Sequence, residues 1–490
     1  MSDPLRCHPT VIAENSLRLL FSLAVIILLV GRLDLTLMAW VCAAVLVLVV
    51  LFNYRQWKMT LIHFNETELV IERNTLFKLK KTLPYDRIAA VNLNRGVLNR
   101  AFGTSKLMIN INSGHHAMAP EASLTFRQEV AEQLRNDVSR RLYAHHLAPE
   151  EEGKVETLVS FSPADVVIHS LFSVPTFQNL LGALFLANSV FELYRSTVDA
   201  GSLGSALTSL GMFFLVQVVP SGLQLFRYYN FRVYRRGDII YLQHGLIQTY
   251  RTSFSISKIN AVRVKSTLAS RLMHRSCIEA EVVGIASNDG NGNARPVICL
   301  LKDDATIGRL LGELVPEFIY EGRPSRQPNG AKWVLLARAA IASLALSAIM
   351  VYPSIAVHRQ LTSQTGLLGA MAYALPLFTA MSVLAFFYAA HLSYKVREID
   401  LDDNLFTFVN GILDRETVVM SYDKVQMVHV SRGPIARRFK VSQATVYMLS
   451  STGTKSVSSG LFPEDQLDRI GDIVMDRITA GRSDRRTKEV

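Results

Sequence analysis

Six apolar runs dominate this sequence, and they come in three pairs. The runs cover residues 17–30, 35–52, 177–194, 203–226, 333–357 and 367–391. A helix that crosses the hydrocarbon core of a bilayer needs about 20 such residues, because it rises about 1.5 Å per residue across about 30 Å. Each pair therefore predicts a hairpin of two transmembrane helices. The alternative is a soluble protein whose core is large enough to bury six paired helices, which would require an unusually large apolar interior.

Composition and charge support a membrane protein. Only 19% of the residues are charged, whereas a soluble domain carries about 25%. The net charge of +11 suits either nucleic acid or the anionic cytoplasmic leaflet. The basic residues are scattered rather than gathered in one tract, so we expect membrane lipids and no nucleic acid as a partner. The four cysteines have no metal-ligand spacing, which favours a reduced, cytosol-facing location without disulfides.

The flanking charges predict how the chain is oriented. Each short connector inside a pair holds one arginine, namely Arg32, Arg195 or Arg359. The other ends of the runs carry more Lys and Arg. Because cytoplasmic segments are enriched in these residues, we expect both termini and the three large polar segments in the cytoplasm.

The polar segment after each pair repeats one pattern. A branched residue (Ile88, Ile259 or Val425) lies twelve positions before an arginine (Arg100, Arg271 or Arg437). A large apolar residue follows two positions after each arginine. Identical spacing at a period of about 170 residues indicates an internal repeat. Hairpin turn signals such as Asn410-Gly411 precede each block, and an amphipathic helix follows it. An antiparallel sheet curled into a small barrel and closed by a helix would accommodate these elements.

These features resemble the membrane-flanked bacterial pleckstrin-homology (PH) domain proteins, in particular the long, three-repeat YdbT-like form. The second copy departs from the pattern, with Met273 in place of the usual Phe. The resemblance implies an α+β membrane protein of the bacterial plasma (inner) membrane, with six transmembrane helices in three hairpins, each followed by a PH-like β-barrel with a C-terminal helix. In this family a shorter one-domain relative accompanies the long protein. The resemblance thus implies a membrane protein partner of that kind, or self-association.

The predicted organisation divides the chain into seven parts. They are a first transmembrane hairpin (1–53), a first PH-like domain (54–160), an interfacial segment with the second hairpin (161–226), a second PH-like domain (227–322), a linker with the third hairpin (323–393), a third PH-like domain (394–480) and a basic polar tail (481–490).

No pattern in the sequence carries recognisable chemistry. HExxH, GxSxG, Walker and Rossmann motifs are absent. His115-His116 and His145-His146 are adjacent pairs, and neighbouring side chains diverge too far to share a metal readily. The Gly-rich stretch at residues 289–293 lacks the lysine and the helix start that a phosphate site needs. We therefore expect no catalytic residues, no metal and no cofactor.

Two sets of basic residues are candidates for contact with lipid or a partner. Arg100, Arg271 and Arg437 recur once per repeat and could bind an acidic head group or a carboxylate. A local role, pairing with an acid or capping carbonyls between two strands, is the alternative. Lys78, Lys80 and Lys81 on a predicted strand could contact anionic lipid or protect an exposed strand edge.

Three functions compete at this point. The leading hypothesis is a non-catalytic membrane scaffold that presents three cytosolic PH-like domains to proteins or lipids, with envelope stress or antimicrobial-peptide resistance as its setting. The alternative is a component of a transporter or exporter, which would use Glu192, Gln217 or Arg338 inside the membrane. A membrane enzyme would need a convergent set of titratable residues, which the sequence does not display.

Overall fold

The computed structural model describes residues 4–17, 35–75, 78–111, 121–142, 159–197, 202–283, 285, 295–320, 322, 324–361, 373–450 and 453–481. Statements about its structure refer to these residues. Both histidine pairs and the Gly-rich stretch of residues 289–293 lie outside them.

Three segments of the chain share one order of elements. Helix α1 (Leu35–Lys58) leads into repeat 1 (residues 60–142), which consists of β1 (Thr60–Phe64), β2 (Glu68–Asn74), β3 (Lys78–Pro84), β4 (Ile88–Arg95), α2 (Val97–Ala101), β5 (Thr104–Ile111), β6 (Ala122–Arg127) and α3 (Gln128–Leu142). The chain then forms β7 (Val159–Ser160), α4 (Pro163–Phe172), α5 (Thr176–Arg195), α6 (Ser202–Phe213), a π-helical segment (Phe214–Val218) and α7 (Val219–Tyr228).

The second and third repeats follow the same plan. Repeat 2 (residues 232–314) consists of β8 (Arg232–Arg236), β9 (Ile239–His244), β10 (Thr249–Ser255), β11 (Ile259–Ser266), α8 (Leu268–Leu272), β12 (Arg275–Val282), β13 (Val297–Asp303) and α9 (Asp304–Leu314). After it come β14 (Ser325–Arg326), α10 (Asn329–Leu361) and α11 (Ala374–Val396). Repeat 3 (residues 398–479) consists of β15 (Glu398–Leu401), β16 (Leu405–Gly411), β17 (Arg415–Ser421), β18 (Val425–Ser431), α12 (Pro434–Arg438), β19 (Ser442–Ser450), β20 (Gly453–Phe462) and α13 (Glu464–Thr479).

Local sequence explains the turns and the closing helices. The hairpin between β16 and β17 turns at Gly411, whose φ of 126° is open to glycine and strained for other residues. A Cβ atom at that position would lie 1.7 Å from the carbonyl oxygen of Asp414. Helix α13 buries Leu467, Ile470 and Val474, whose spacing places them on one helical face. That face covers the core of repeat 3.

The sheets do not follow the boundaries of the repeats. The strands form four antiparallel sheets: β1-β2-β3, β6-β5-β4-β10-β9-β8-β7, β13-β12-β11-β17-β16-β15-β14 and β18-β19-β20. Each repeat thus contributes its first three strands to one sheet and its last three to the next. Strands from both halves and the closing helix supply each core. We predicted three separate barrels, whereas consecutive repeats share sheets in the structure.

The prediction of six transmembrane helices in three hairpins is wrong. Three helices in the described part of the chain are long and apolar enough to cross a membrane, and these are Ser202–Tyr228, Asn329–Arg359 and Ala374–Val396. The helices α4 and α5 would add a fourth if the pair, bent by 82°, counts as one span. The apolar run at α5 is long enough for a membrane span. Gln178, Asn179 and Asn188 lower the mean hydropathy of this helix, so it is not among the three. Of the predicted first hairpin, residues 18–34 lie outside the described residues, and α1 is not among the three.

Helix α4 packs on repeat 2 rather than continuing α5. Ser162 and Asp165 form a capping box at its N-terminus. Lys302 Nζ donates to Asp165 Oδ2 over 2.7 Å, and Val166 belongs to the core of repeat 2. Pro175 sits at the bend, where a proline cannot continue the backbone hydrogen bonding of a helix.

Polar side chains join α5 to the helix that runs through α6 and α7. Pro220 has no N–H to donate to the carbonyl of Val216, four residues earlier, and the backbone forms a π-helical turn there. The side-chain amide of Gln178 donates to that carbonyl over 2.6 Å. Gln217 also donates to Asn179 over 2.8 Å. Such bonds between helices satisfy polar groups where water is absent.

Candidate functional site

The first candidate site is the first joint, where β4 of repeat 1 pairs with β10 of repeat 2. The strands are antiparallel, with Arg95 opposite Thr249, Asn94 opposite Tyr250 and Leu93 opposite Arg251. Around this ladder Gln248 donates to Asn94 over 2.7 Å, and Arg251 pairs with Glu132 of α3 over 2.9 Å. The last half of one repeat is thus bound to the first half of the next by backbone and side chains together.

The second joint repeats this geometry between β11 of repeat 2 and β17 of repeat 3. Six residue pairs form, from Ala261 opposite Met420 to Ser266 opposite Arg415. Ser266 lies five positions before Arg271, as Arg95 lies five before Arg100. Arg415 lies ten positions before Val425, as Thr249 lies ten before Ile259. Both joints therefore use one register.

Two of the repeated arginines reach across these joints. Arg100, in the last turn of α2, donates to the hydroxyl of Thr249 in repeat 2. Arg271, in the last turn of α8, donates to the carbonyl of Leu413 in repeat 3 over 2.6 Å. Arg437 occupies the same place on α12 and is exposed, and its guanidinium bonds to no described residue. The arginines that sequence alone offered as lipid or partner contacts thus bind neighbouring repeats in two of three copies.

A buried charge network supports the second joint. Arg263 of β11 contacts Glu281 at 3.1 Å and Glu416 of repeat 3 at 2.9 Å. The side chains of Arg263 and Glu281 are 4% and 0% exposed. Arg295 also bonds to Glu281. Burial acts to lower the pKa of Arg295, and the carboxylates of Glu281 and Glu279 outweigh it, so that its pKa is raised. The charges therefore compensate one another around a buried pair, with Arg295 and Glu416 partly exposed at its margin.

The lysines of β3 occupy an unpaired strand edge. Lys78 is exposed. Lys80 pairs with Glu72 across the hairpin at 3.0 Å, and Lys81 pairs with Glu121 at 2.5 Å. Their contact with lipid or a partner stays a prediction.

A polar cavity of about 540 Å³ lies between repeat 1, the end of α1, the segment of residues 7–15 and Gln248 of repeat 2. Its wall includes Glu14, Lys106, Lys81 and Glu121, which form two ion pairs with each other. Among the described residues no group of three His, Cys, Asp or Glu side chains could hold a metal ion. Four of the charged side chains in this wall are therefore already neutralised within the protein, and Arg73 also lines the cavity.

Sequence reasoning missed the joints and their charge network. Arg263 and Glu281 lie inside β11 and β12, where alternation would assign a charged residue to a solvent-facing side. Their partners lie on another strand or another repeat, which no local pattern encodes. The repeat itself could have indicated the joints. An arginine that recurs at the same spacing in every copy is expected to have the same structural role in each.

Comparison with known proteins agrees with this architecture. The UPF0699 transmembrane protein YdbT of Bacillus subtilis (strain 168) is 20% identical over 315 residues, which is 59% of this chain and 63% of the relative. The match therefore spans less than two thirds of that relative. No solved structure matches the chain significantly. The model of the family described as "Bacterial PH domain" matches residues 18–142 and 335–478, together more than half of the chain. The resemblance read from the sequence is confirmed, and the chain belongs to the bacterial PH domain family.

Proposed function

We propose that this protein is a non-catalytic membrane scaffold whose three repeats form one array on one side of the bilayer and present it to partner proteins. The strand pairing at the two joints carries this proposal. Paired strands lie about 5 Å apart, whereas the hydrocarbon core is about 30 Å thick. Repeats that share a sheet therefore lie on the same side of the membrane.

The helices between the repeats are consistent with this arrangement. Joined repeats require an even number of crossings between them. Helices α10 and α11 supply two between repeats 2 and 3. Between repeats 1 and 2, Ser202–Tyr228 supplies one, and the bent pair of α4 and α5 supplies the other where the pair counts as one span. Basic residues at the repeat-facing ends, including Arg227, Lys332 and Lys395, favour the cytoplasm as the side that holds the array.

The polar groups of the membrane helices support a structural role. Gln217 and Glu192, which an exporter would use, are bonded to neighbours in the same helical hairpin. Gln217 donates to Asn179, and Glu192 pairs with Arg195 at 3.4 Å. The bond between Gln217 and Asn179 stabilises the packing of two helices, whereas the pair of Glu192 and Arg195 lies within one helix. A scaffold accounts for them without a transported substrate.

Cysteine cross-linking tests the array in intact membranes. In a chain whose native cysteines are replaced by serine, Asn94→Cys with Tyr250→Cys places two thiols opposite each other at the first joint. We expect rapid disulfide formation on mild oxidation. The pair Asn94→Cys with Met427→Cys, which joins strands of different sheets, is the matched control. Failure of the first pair, with both thiols still labelled by a permeant maleimide, would show that the joint does not form.

The scaffold role is tested by chemical cross-linking of the full-length protein in its own membrane, followed by mass spectrometry. Glu416→Arg disrupts the second joint, because it places a cation against Arg263. We expect proteins cross-linked to the wild-type chain to be depleted several-fold in this variant. Glu313→Arg on the outer face of α9 is the control and should retain them. A wild-type chain that captures no protein, or a joint-broken variant that captures the same ones, contradicts the proposal.

A further inference from the structure

Strand β18 is the third copy of the strand that forms both joints. Strands β4 and β11 occupy the same place in repeats 1 and 2, and each pairs with the third strand of the following repeat. Strand β18 pairs with β19 on one side, and no described strand pairs with its other side. The equivalent edges of β4 and β11 are paired with β10 and β17, whereas no described strand pairs with this edge of β18.

Burial shows what the open edge lacks. Ala90 of β4 is 0% exposed and lies in the core of repeat 2, and Ala261 of β11 is 0% exposed and lies in the core of repeat 3. Met427 holds the equivalent position on β18 and is 50% exposed. Two positions further, Asn92 and Arg263 are buried, whereas His429 is exposed. Met427 and His429 thus occupy positions that the following repeat covers in repeats 1 and 2, and both are exposed in repeat 3.

The exposed Arg437 extends this comparison beyond the strand. Its counterparts Arg100 and Arg271 each donate to the following repeat. Arg437 has the same position on α12. The edge therefore carries both parts of a joint, namely the backbone from Met427 to Ser431, with which no described strand pairs on this side, and an arginine beside it. Addition of an edge strand from another chain is a common way in which such a ladder is completed.

The chemistry of the edges selects the partner. A second copy of this chain would offer β3, and the register of the joints would place the exposed Lys78 opposite Arg432. Like charges opposite each other destabilise a strand pair, and edge lysines protect against such pairing. In the second joint, by contrast, the incoming strand supplies Glu416 opposite Lys265.

We propose that β18, with Arg437, binds the third strand of a PH-like unit on another polypeptide, whose side chain opposite Arg432 is acidic or neutral. The inference rests on the proposed scaffold function and names one surface of the scaffold and the class of partner that binds it. Strand β3 is the end of the array that its lysines protect from the same pairing.

Photo-cross-linking in the membrane tests this surface on the full-length protein. His429→p-benzoylphenylalanine places the probe on the exposed edge of β18. Leu272→p-benzoylphenylalanine, at an equally accessible site on α8, is the control. We expect a cross-link at residue 429 to an edge strand of a PH-like unit in a different protein, identified by sequencing the cross-linked peptide. Arg437→Ala should reduce the yield several-fold.

Each other outcome overturns the proposal. Cross-links to β3 of the same protein would show that a second copy occupies the edge. Adducts with lipid would assign Arg437, Arg438 and Lys440 to the membrane surface. No cross-link beyond the control would show that the edge is unoccupied. If the thiol pair at the first joint still forms its disulfide in these cases, the array survives and only the partner site is wrong.

Discussion

The two joints have one register and different surroundings. The first has three residue pairs and is supported by Arg251 and Glu132, whose side chains are 41% and 39% exposed. The second has six pairs and encloses Arg263 and Glu281, which are almost fully buried. The strand edges therefore fix the geometry of a joint, while the side chains around it fix its strength. We expect the second joint to be the more stable of the two.

The largest expected effect comes from Glu281→Gln in the second joint. The change leaves Arg263 and Arg295 without their shared carboxylate. Breaking a buried ion pair costs about 3–5 kcal/mol, and the remaining contacts with Glu416 and Glu279 offset part of this cost. Thermal unfolding in detergent should show a clear loss of stability, and hydrogen exchange should accelerate in β11 and β17. Glu313→Gln on the exposed face of α9 is the control. Protection of β11 that equals wild type would mean that the network does not stabilise the joint.

Arg271→Ala should have an intermediate effect. The variant loses a charge-assisted hydrogen bond to the carbonyl of Leu413, and such bonds contribute about 1.5–3 kcal/mol. Hydrogen exchange should increase in the turn before β17 and leave the first joint unchanged. Arg437→Ala is the matched control, since its guanidinium bonds to no described residue. If both variants changed hydrogen exchange equally, Arg271 would not stabilise its joint more than Arg437 stabilises the edge of repeat 3.

Glu132→Gln in the first joint should have the smallest effect. The ion pair with Arg251 is well exposed to solvent, and such pairs contribute about 0.2–1 kcal/mol, less at high salt. The difference in free energy of unfolding between the variant and wild type should become smaller when the ionic strength is raised. A loss as large as that of Glu281→Gln would contradict the view that burial separates the two joints.

Local structure was largely predictable from the sequence. The closing helix of repeat 3 follows from the spacing of Leu467, Ile470 and Val474, which are buried as an amphipathic helix requires. The hairpin predicted from the Asn-Gly pair is present, but both residues lie at the end of β16 and residues 412–414 form the loop. These features depend on residues close in sequence, so a local pattern suffices to predict them.

The joints and the number of membrane spans were not predictable in the same way. A strand edge exposes identical backbone groups along its length, so nothing local states that β4 pairs with a strand more than 150 residues later. The apolar run at α5 satisfies the length of a span, yet its Gln and Asn side chains bind a neighbouring helix. The length of an apolar run shows only that a helix could span a bilayer. The structure also depends on the hydrogen bonds that the side chains of that helix form with other helices.

The distance along the chain between the strands of the first joint has a consequence for biosynthesis. Gln248 follows Asn94 by 154 residues, and ribosomes add about 5–20 residues per second, so β10 emerges about 10–30 s after β4. The helices α5, α6 and α7 are synthesised within that interval, before β10. Assembly of the array is therefore ordered by translation, and each new repeat completes the one made before it.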